Sequence, residues 1–434
     1  MKLSRRSALL LPLALGGCSW FDFLTDEAKP PIKGNREPIL EPKRGLVPDA
    51  VGNVTLPPVE STEWPQAGRV PSHLGGNLAG GLTKAWSRDI GRGGDYRARI
   101  TAQPLVVGGN VYTMDTDGLV SGWNLAGGHE LWSTRTRGKK SRSTNLGGGI
   151  CFDSGKIYAA TGRAELLALD AASGSILWRK DLPAPARSAP TCVNGQLFVC
   201  TIDQKLLALS ANGGDRQWSY QATTADIGVL AQASPAYDDG IVVAGFESGD
   251  LSAVRADTGT LVWSDNLGTL RGSASLLEFA SIRGAPVIKN GIVYAIGFGG
   301  LLAGLDLRSG RRVWERDVAG GNTPWIAGDV MYVIDSDQHI AAVDAADGSV
   351  FWASPLARFT NPKKTKGLIT WTGPIMVGGK LIAVSTHERM AIIDPVFGKL
   401  VSVEHIPSSA SVSPVAGEGT MLVLTDDARL TAYK

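Results

Sequence analysis

Ala168-Leu169-Asp170-Ala171-Ala172-Ser173-Gly174-Ser175-Ile176-Leu177-Trp178 is a phrase this chain repeats. Residues 304–314 (GLDLRSGRRVW) and 342–352 (AVDAADGSVFW) match it closely. Residues 122–132, 208–218 and 253–263 keep the glycine and tryptophan but carry Asn124, Ser210 and Arg255 at the aspartate position. Residues 392–402 keep Asp394 and Gly398 and end on Ser402. In all seven, glycine stands four residues before the tryptophan position.

A second marker has the same period. Pro104, Pro190, Pro235, Pro286, Pro324 and Pro374 each lie 28 residues before the tryptophan position of their own repeat, and Ile150 holds that place ahead of Trp178. Pro414 is followed by only 20 residues, whereas Trp86 stands in a repeat-ending strand with no repeat before it. The two fragments complement each other. Within a repeat the apolar positions alternate with period two between turn signals such as Ser154-Gly155, Asn194-Gly195 and Asn290-Gly291, which reads as four short antiparallel strands. Such a unit cannot cover its own two faces, so neighbours must stack. The expected fold is an all-β, eight-bladed β-propeller of four-stranded antiparallel blades. The N-terminal strand around Trp86 should complete the last blade. Trp86, Trp132, Trp178, Trp218, Trp263, Trp314 and Trp352 are the expected blade-docking plates, broad apolar surfaces between neighbours.

Composition agrees and excludes several functions. Glycine makes up 54 of 434 residues, about 12% against a usual ~7%, which disfavours long helices. With 43% hydrophobic residues the chain can bury a large core, and a formal charge of +2 argues against a nucleic-acid binder. No apolar run reaches the length of a membrane-spanning helix. The five histidines, 73, 129, 339, 387 and 405, are not spaced as metal ligands, and no metal or cofactor is expected.

The N-terminus reads as an address. Lys2, Arg5 and Arg6 precede the apolar stretch Ser7 to Leu15, and Leu15-Gly16-Gly17-Cys18 resembles a lipoprotein signal-peptidase box. Residues 1–18 are therefore expected to be a signal peptide ending at a lipidated Cys18. Residues 19–63, with Pro30-Pro31, Pro38, Pro42, Pro48 and Pro57-Pro58, have the composition of a flexible tether, leaving 64–434 for the propeller. With Cys18 assigned to lipid, Cys151, Cys192 and Cys200 remain, an odd number in apolar strands. They read as buried small hydrophobes rather than a disulfide framework.

The repeated A-x-D-x-x-[ST]-G-x-x-x-W phrase resembles the propeller repeats of pyrroloquinoline-quinone (PQQ) dehydrogenases and of the BamB family, lipoproteins of the outer-membrane β-barrel assembly machinery. Lipobox, proline-rich tether, bare blades and total length together resemble the BamB family over essentially the whole mature chain. That resemblance implies a non-enzymatic scaffold, lipid-anchored on the periplasmic face of the outer membrane. It implies binding to the POTRA domains of BamA, association with other Bam complex subunits, and help to nascent outer-membrane proteins through edge pairing. A family Leu-x-Leu-Arg run maps onto Ala184, Ala186 and Arg187, so only the arginine carries over. A family pair of aspartates falls on Ser281 and Arg283, flanking Ile282, and the acidic character is lost.

Two other readings remain open. A PQQ-dependent quinoprotein dehydrogenase would bring adjacent cysteines and cofactor-cage inserts, and this chain has no Cys-Cys pair. Trp325 and Trp371, extra to the ladder, are expected to pack the inner strand. An envelope glycan-binding propeller would suit the basic loops, with Arg135, Arg137, Lys139, Lys140 and Arg142 in one and Arg358, Lys363, Lys364 and Lys366 in another. These are either solvated surface charge or a basic rim facing an acidic partner or anionic lipid. The longest loop, about 265–285, carries Leu267, Leu270, Leu276, Leu277, Phe279 and Ile282, which either fold onto the ring or form a docking patch.

Overall fold

The structure is a computed structural model. It describes residues 43–95, 99–137, 145, 147–224, 233–268 and 281–434. The expected signal peptide with Cys18, the first part of the expected tether, Lys139, Lys140 and Arg142, and Leu270, Leu276, Leu277 and Phe279 lie outside the described residues.

Four-stranded antiparallel sheets dominate the described chain. Seven are each cut from one continuous stretch, here blades 1 to 7: residues 105–135, 148–181, 191–221, 236–266, 287–317, 325–355 and 371–405. The remaining sheet is composite. Val415–Gly417, Thr420–Leu424 and Arg429–Tyr433 come from the C-terminus, and Lys84–Asp89 from the N-terminal side pairs antiparallel with Arg429–Tyr433. Of the expected eight-bladed ring with its last blade closed by the N-terminal strand, the structure shows seven contiguous four-stranded blades, and the chain's two ends share a further four-stranded sheet as expected. Val415–Gly417 lies against Leu105–Val107 of blade 1, which closes the circuit of inner strands. Closure in this way leaves no free face between first and last blades.

The repeated phrase now has a physical explanation. Gly174 turns the corner at φ +71°, and a Cβ placed there would sit 2.3 Å from the Trp132 ring of the preceding blade. Gly348 is held the same way beneath Trp314. Each glycine is the floor on which the previous blade's indole lies, so glycine and tryptophan recur together although they act across different interfaces. The indole nitrogens then donate to corner carbonyls of the next blade: Trp86 to Leu125, Trp132 to Ala171, Trp218 to Ala256, Trp263 to Leu307, Trp314 to Ala345 and Trp352 to Pro395, at 2.7–3.0 Å. Trp178 lies over Gly214, but its indole nitrogen has no partner.

Two expectations about the N-terminal half fail here. The blades are not bare, and residues 43–63 are not a free tether. Lys43–Arg44 adds a parallel strand to the outer edge of blade 5, pairing with Arg316 and Asp317. The buried Arg316 guanidinium meets Asp49 at 2.5 Å and the Gly45 carbonyl at 2.7 Å. Val59–Glu60 pairs with Asn77–Leu78, which joins the inner edge of blade 7.

Residues 62–78 then run around the inside of the ring as a strap. Backbone amides of Glu418 in the closing blade, Val106, Phe152, Tyr237, Ile288 and Gly378 donate in turn to the carbonyls of Thr62, Trp64, Pro65, Pro71, Ser72 and Leu78 at 2.7–2.9 Å. Cys192 in blade 3 donates to the Gln66 side chain, and blade 6 reaches Gly76 through Trp325 Nε1. An inner strand has one unpaired backbone edge, which must find partners once buried. The strap supplies a partner to every blade within one circuit.

Cys151 and Cys192 are joined in a disulfide, correcting the reading of three inert cysteines. They lie on the inner strands of blades 2 and 3, with Cα atoms 6.3 Å apart. Among the described residues Cys200 is the one free thiol, buried, with its pKa pushed up to about 12 by burial.

Candidate functional site

Described residues that lead into the inner strands, among them Arg99, Arg187, Ser234, Arg283 and Thr323, converge on one end of the ring axis, where they wall a funnel of about 490 Å³. The strap forms its floor with Trp64, Gly68 and His73. Trp64 stacks on Trp325, ring centroids 6.1 Å apart and planes 9° from parallel. Trp371 adds a third indole to the wall and donates to the Ala357 carbonyl at 2.9 Å. Trp325 and Trp371 therefore pack the inner strands and also face the funnel.

Four guanidinium groups line the same space, those of Arg99, Arg187, Arg283 and Arg358. Arg187 and Arg283 each stand three residues before a blade proline, so the repeat itself places them at equivalent heights on blades 3 and 5. Burial holds both below the usual arginine range. Nearby Glu247 partly offsets this for Arg187, while Arg99 adds like-charge repulsion for Arg283. Both stay cationic at neutral pH. Arg283 also lies over the Phe298 ring at 5.9 Å, and Arg358 pairs with Asp337 at 2.6 Å.

His73 is buried beneath these groups. Its Nδ1 lies 2.8 Å from the Pro286 carbonyl, which can only accept, so Nδ1 carries the proton. Desolvation lowers its pKa to about 4 against the pull of that bond, and the neutral ring leaves Nε2 as an acceptor with no partner.

The expected partner residues divide into two groups. Ala184 is half-exposed, and Arg187 and Arg283 face the funnel. Ala186, Ser281 and Ile282 are buried. Ile282 packs with Leu267 in the core between blades 4 and 5, its amide bonded to the Phe246 carbonyl. These three, expected at a partner surface, are buried and offer it no exposed side chain in this structure. The described ends of the longest loop fold down, and Leu267 is fully buried. Lys363, Lys364 and Lys366 are exposed on a small hairpin, Phe359–Asn361 with Lys366–Leu368. Sequence reasoning missed the strap, His73 and Arg99; Arg283 it found only through a family position.

Comparison with known proteins adds to this geometry. The family profile described as outer membrane protein assembly factor BamB matches residues 117–354, more than half of the chain. The chain belongs to this family. The outer membrane protein assembly factor BamB of Yersinia pestis is 26% identical over 358 residues, spanning 81% of this chain and 88% of that protein. The crystal structure of BamB from Moraxella catarrhalis superposes with a TM-score of 0.68 at 20% identity, covering 81% of this chain and 99% of that one. Quinohemoprotein alcohol dehydrogenase from Comamonas testosteroni superposes at 0.64 with 13% identity over 83% and 76% of the two chains, a likeness of fold alone. Of the funnel's arginines, Arg187 and Arg283 fall within the residues that the profile spans, and Arg99 and Arg358 lie outside them. Among the described residues, no group of histidine, cysteine and acidic side chains could hold a metal ion.

Proposed function

We propose that this chain is a non-catalytic scaffold of the outer-membrane protein assembly complex. In this reading it is anchored through lipidated Cys18 on the periplasmic face of the outer membrane. It binds the POTRA domains of BamA and other Bam subunits through the rim carrying Ala184, Arg187 and Arg283, and it aids folding of nascent β-barrel proteins. The names of relatives similar over four-fifths of the chain support the assembly role.

The observation that carries the mechanism is the outer edge of blade 5, which already accepts an added strand, Lys43–Arg44. Other outer strands present exposed apolar side chains beside their backbone edges, among them Leu131, Leu177, Leu261 and Leu400. A strand with an unpaired edge and an apolar flank is a template for extended chain. An unfolded barrel strand has both features that such an edge would pair.

The test is affinity recovery from envelope membranes. BamA should co-purify with the intact chain, and Arg187→Glu should lower its recovery at least about fivefold, the scale of one lost charge-assisted contact, without changing the melting temperature. Unchanged recovery would remove Arg187 from the contact. Retention of envelope glycan with no BamA would replace the reading altogether.

A further inference from the structure

Among the described residues, one link between blades forms a sheet of its own. Phe359–Asn361 and Lys366–Leu368 pair antiparallel between blades 6 and 7. The turn that joins them is built without help from the ring. Asn361 caps a single 3₁₀ turn, Pro362–Lys364, by accepting from the Lys364 amide, and Thr360 Oγ1 donates to the Lys366 carbonyl. Residues 360–368 are all exposed. A lone two-stranded hairpin is only marginally stable in water, so this one adds little to the ring that carries it.

Its chemistry is one-sided. Lys363, Lys364 and Lys366 meet no carboxylate among the described residues. Lys180, Lys205, Lys289 and Lys380, on the blades, each reach one at 2.5–3.7 Å. Arg358 at the hairpin's base is paired with Asp337. Phe359 and Leu368 stand directly opposite each other, and Lys366, two residues from Leu368, shares their face. Leu368 is 56% exposed. The hairpin thus carries three free ammonium groups beside an apolar side chain.

Position selects the partner. Arg358, Leu368 and Thr370 line the funnel, so the hairpin stands at the funnel end of the ring. Lys43–Arg44 joins the ring beside Arg316 and Asp317, the last residues of an outer strand whose continuation, 321–323, also lines the funnel. Twenty-four residues separate Lys43 from Cys18, a length that spans roughly 25–30 Å as coil. A lipid on Cys18 would hold a bilayer on the blade 5 side, one blade from the hairpin. The other basic loop, with Arg135 and Arg137, follows blade 1, half a circuit away.

We propose that the hairpin of residues 359–368 docks on an anionic lipid surface, its three lysines among phosphate headgroups and Leu368 at the acyl boundary. The choice of lipid over an acidic protein rests on the reading of Cys18 as the anchor. Near an anionic leaflet each lysine adds about fivefold in affinity, and salt weakens the attraction.

Co-sedimentation with vesicles tests this on the full chain carrying Cys18→Ser, which has no thiol to acylate at that position. Vesicles of equal parts phosphatidylethanolamine and phosphatidylglycerol should retain it at least about tenfold better than phosphatidylcholine vesicles, an advantage that falls as salt rises. Adding Lys363→Gln, Lys364→Gln and Lys366→Gln together should lose at least about tenfold of that binding and leave the melting temperature unchanged. Arg308→Gln, Arg311→Gln and Lys399→Gln remove the same charge from corner turns at the opposite end of the ring and should leave binding at the parent's level. No binding, equal binding to both vesicles, or equal losses in the two triple variants would overturn the proposal. So would capture by polyglutamate without retention by anionic vesicles, which would assign the hairpin to an acidic protein. The anchor reading has its own readout, since it fails if the unsubstituted chain takes up no labelled palmitate.

Discussion

The interface between blades 6 and 7 and the one between blade 7 and the closing blade are sealed by different means. In the first, Trp352 lies over Gly398 and donates to the Pro395 carbonyl at 3.0 Å. In the second, the tryptophan position is Ser402, and no plate is available. The neighbourhood of the second is instead filled by the N-terminal segment. Leu78 is 1% exposed against Val377 of blade 7, and a Cβ at Gly80 would strike Val377 at 2.7 Å and touch Met421 of the closing blade at ordinary contact distance. Trp64, Leu78 and the cores of blade 7 and the closing blade share one apolar cluster. A missing plate is thus tolerated where the chain's own strap passes, and a ring of near-identical sectors can be closed by an unlike part.

Removing a plate should have the largest effect. Trp352→Ala deletes a buried indole together with its bond to Pro395, and should cost about 3–5 kcal/mol by chemical denaturation. Ser402→Ala, at the matching position one blade on, should change stability by less than about 0.5 kcal/mol. Equal losses would mean that the strap does not substitute for the plate.

The same contrast shows what was legible in the sequence. Tryptophan, glycine and proline recur at fixed spacing because each interface makes the same demand. The blade repeats, the tryptophan ladder and the sharing of one sheet by both termini could therefore be read directly. The strap recurs nowhere. Its Pro71, Gly75 and Gly76 have linker composition, and what fixes it are amides on seven other segments, which carry no local signal. Residues 43–63 read as a tether for the same reason, since proline-rich chain is either loose or held by distant partners. Arg187 and Arg283 were within reach, as both stand three residues before a blade proline. The disulfide was also within reach, because Cys151 and Cys192 stand one and two residues past the blade-start position of successive repeats. Counting an odd number of thiols hid that alignment.

The disulfide provides the second test. Blades 2 and 3 are the pair whose plate, Trp178, finds no acceptor for its indole nitrogen, and they are also the pair joined by Cys151–Cys192. Closing a loop of 41 residues restricts the unfolded chain by an amount worth about 4 kcal/mol in the chain-entropy account. A Cys151→Ala, Cys192→Ala double variant should lose about 2–4 kcal/mol, and a reducing agent should lower the parent's melting temperature but not the variant's. If reduction leaves the parent unchanged, blades 2 and 3 are held by packing alone. Such bonds persist in oxidising compartments, consistent with an exported chain.

The smallest effect is expected from pH, and it separates the strap from the plates. His73 anchors the strap to blade 5 through Pro286, and burial lowers its pKa from 6.5 to about 4. Between those values the unfolded chain binds the proton more readily than the folded one. The stabilisation from keeping the ring neutral is therefore complete above pH 6.5 and is lost progressively as pH falls towards 4, up to roughly 3 kcal/mol. A His73→Gln variant should lack this part of the slope, so that the difference in unfolding free energy between parent and variant narrows on acidification. Protonation adds a buried charge at the strap and leaves the tryptophan–carbonyl bonds untouched. Hydrogen exchange should thus quicken at the blade amides bonded to the strap, Tyr237 and Ile288, before it quickens in the outer strands. Simultaneous loss of protection in both would mean that strap and plates open as one unit, and that the unlike part of the ring is no weaker than the repeated one.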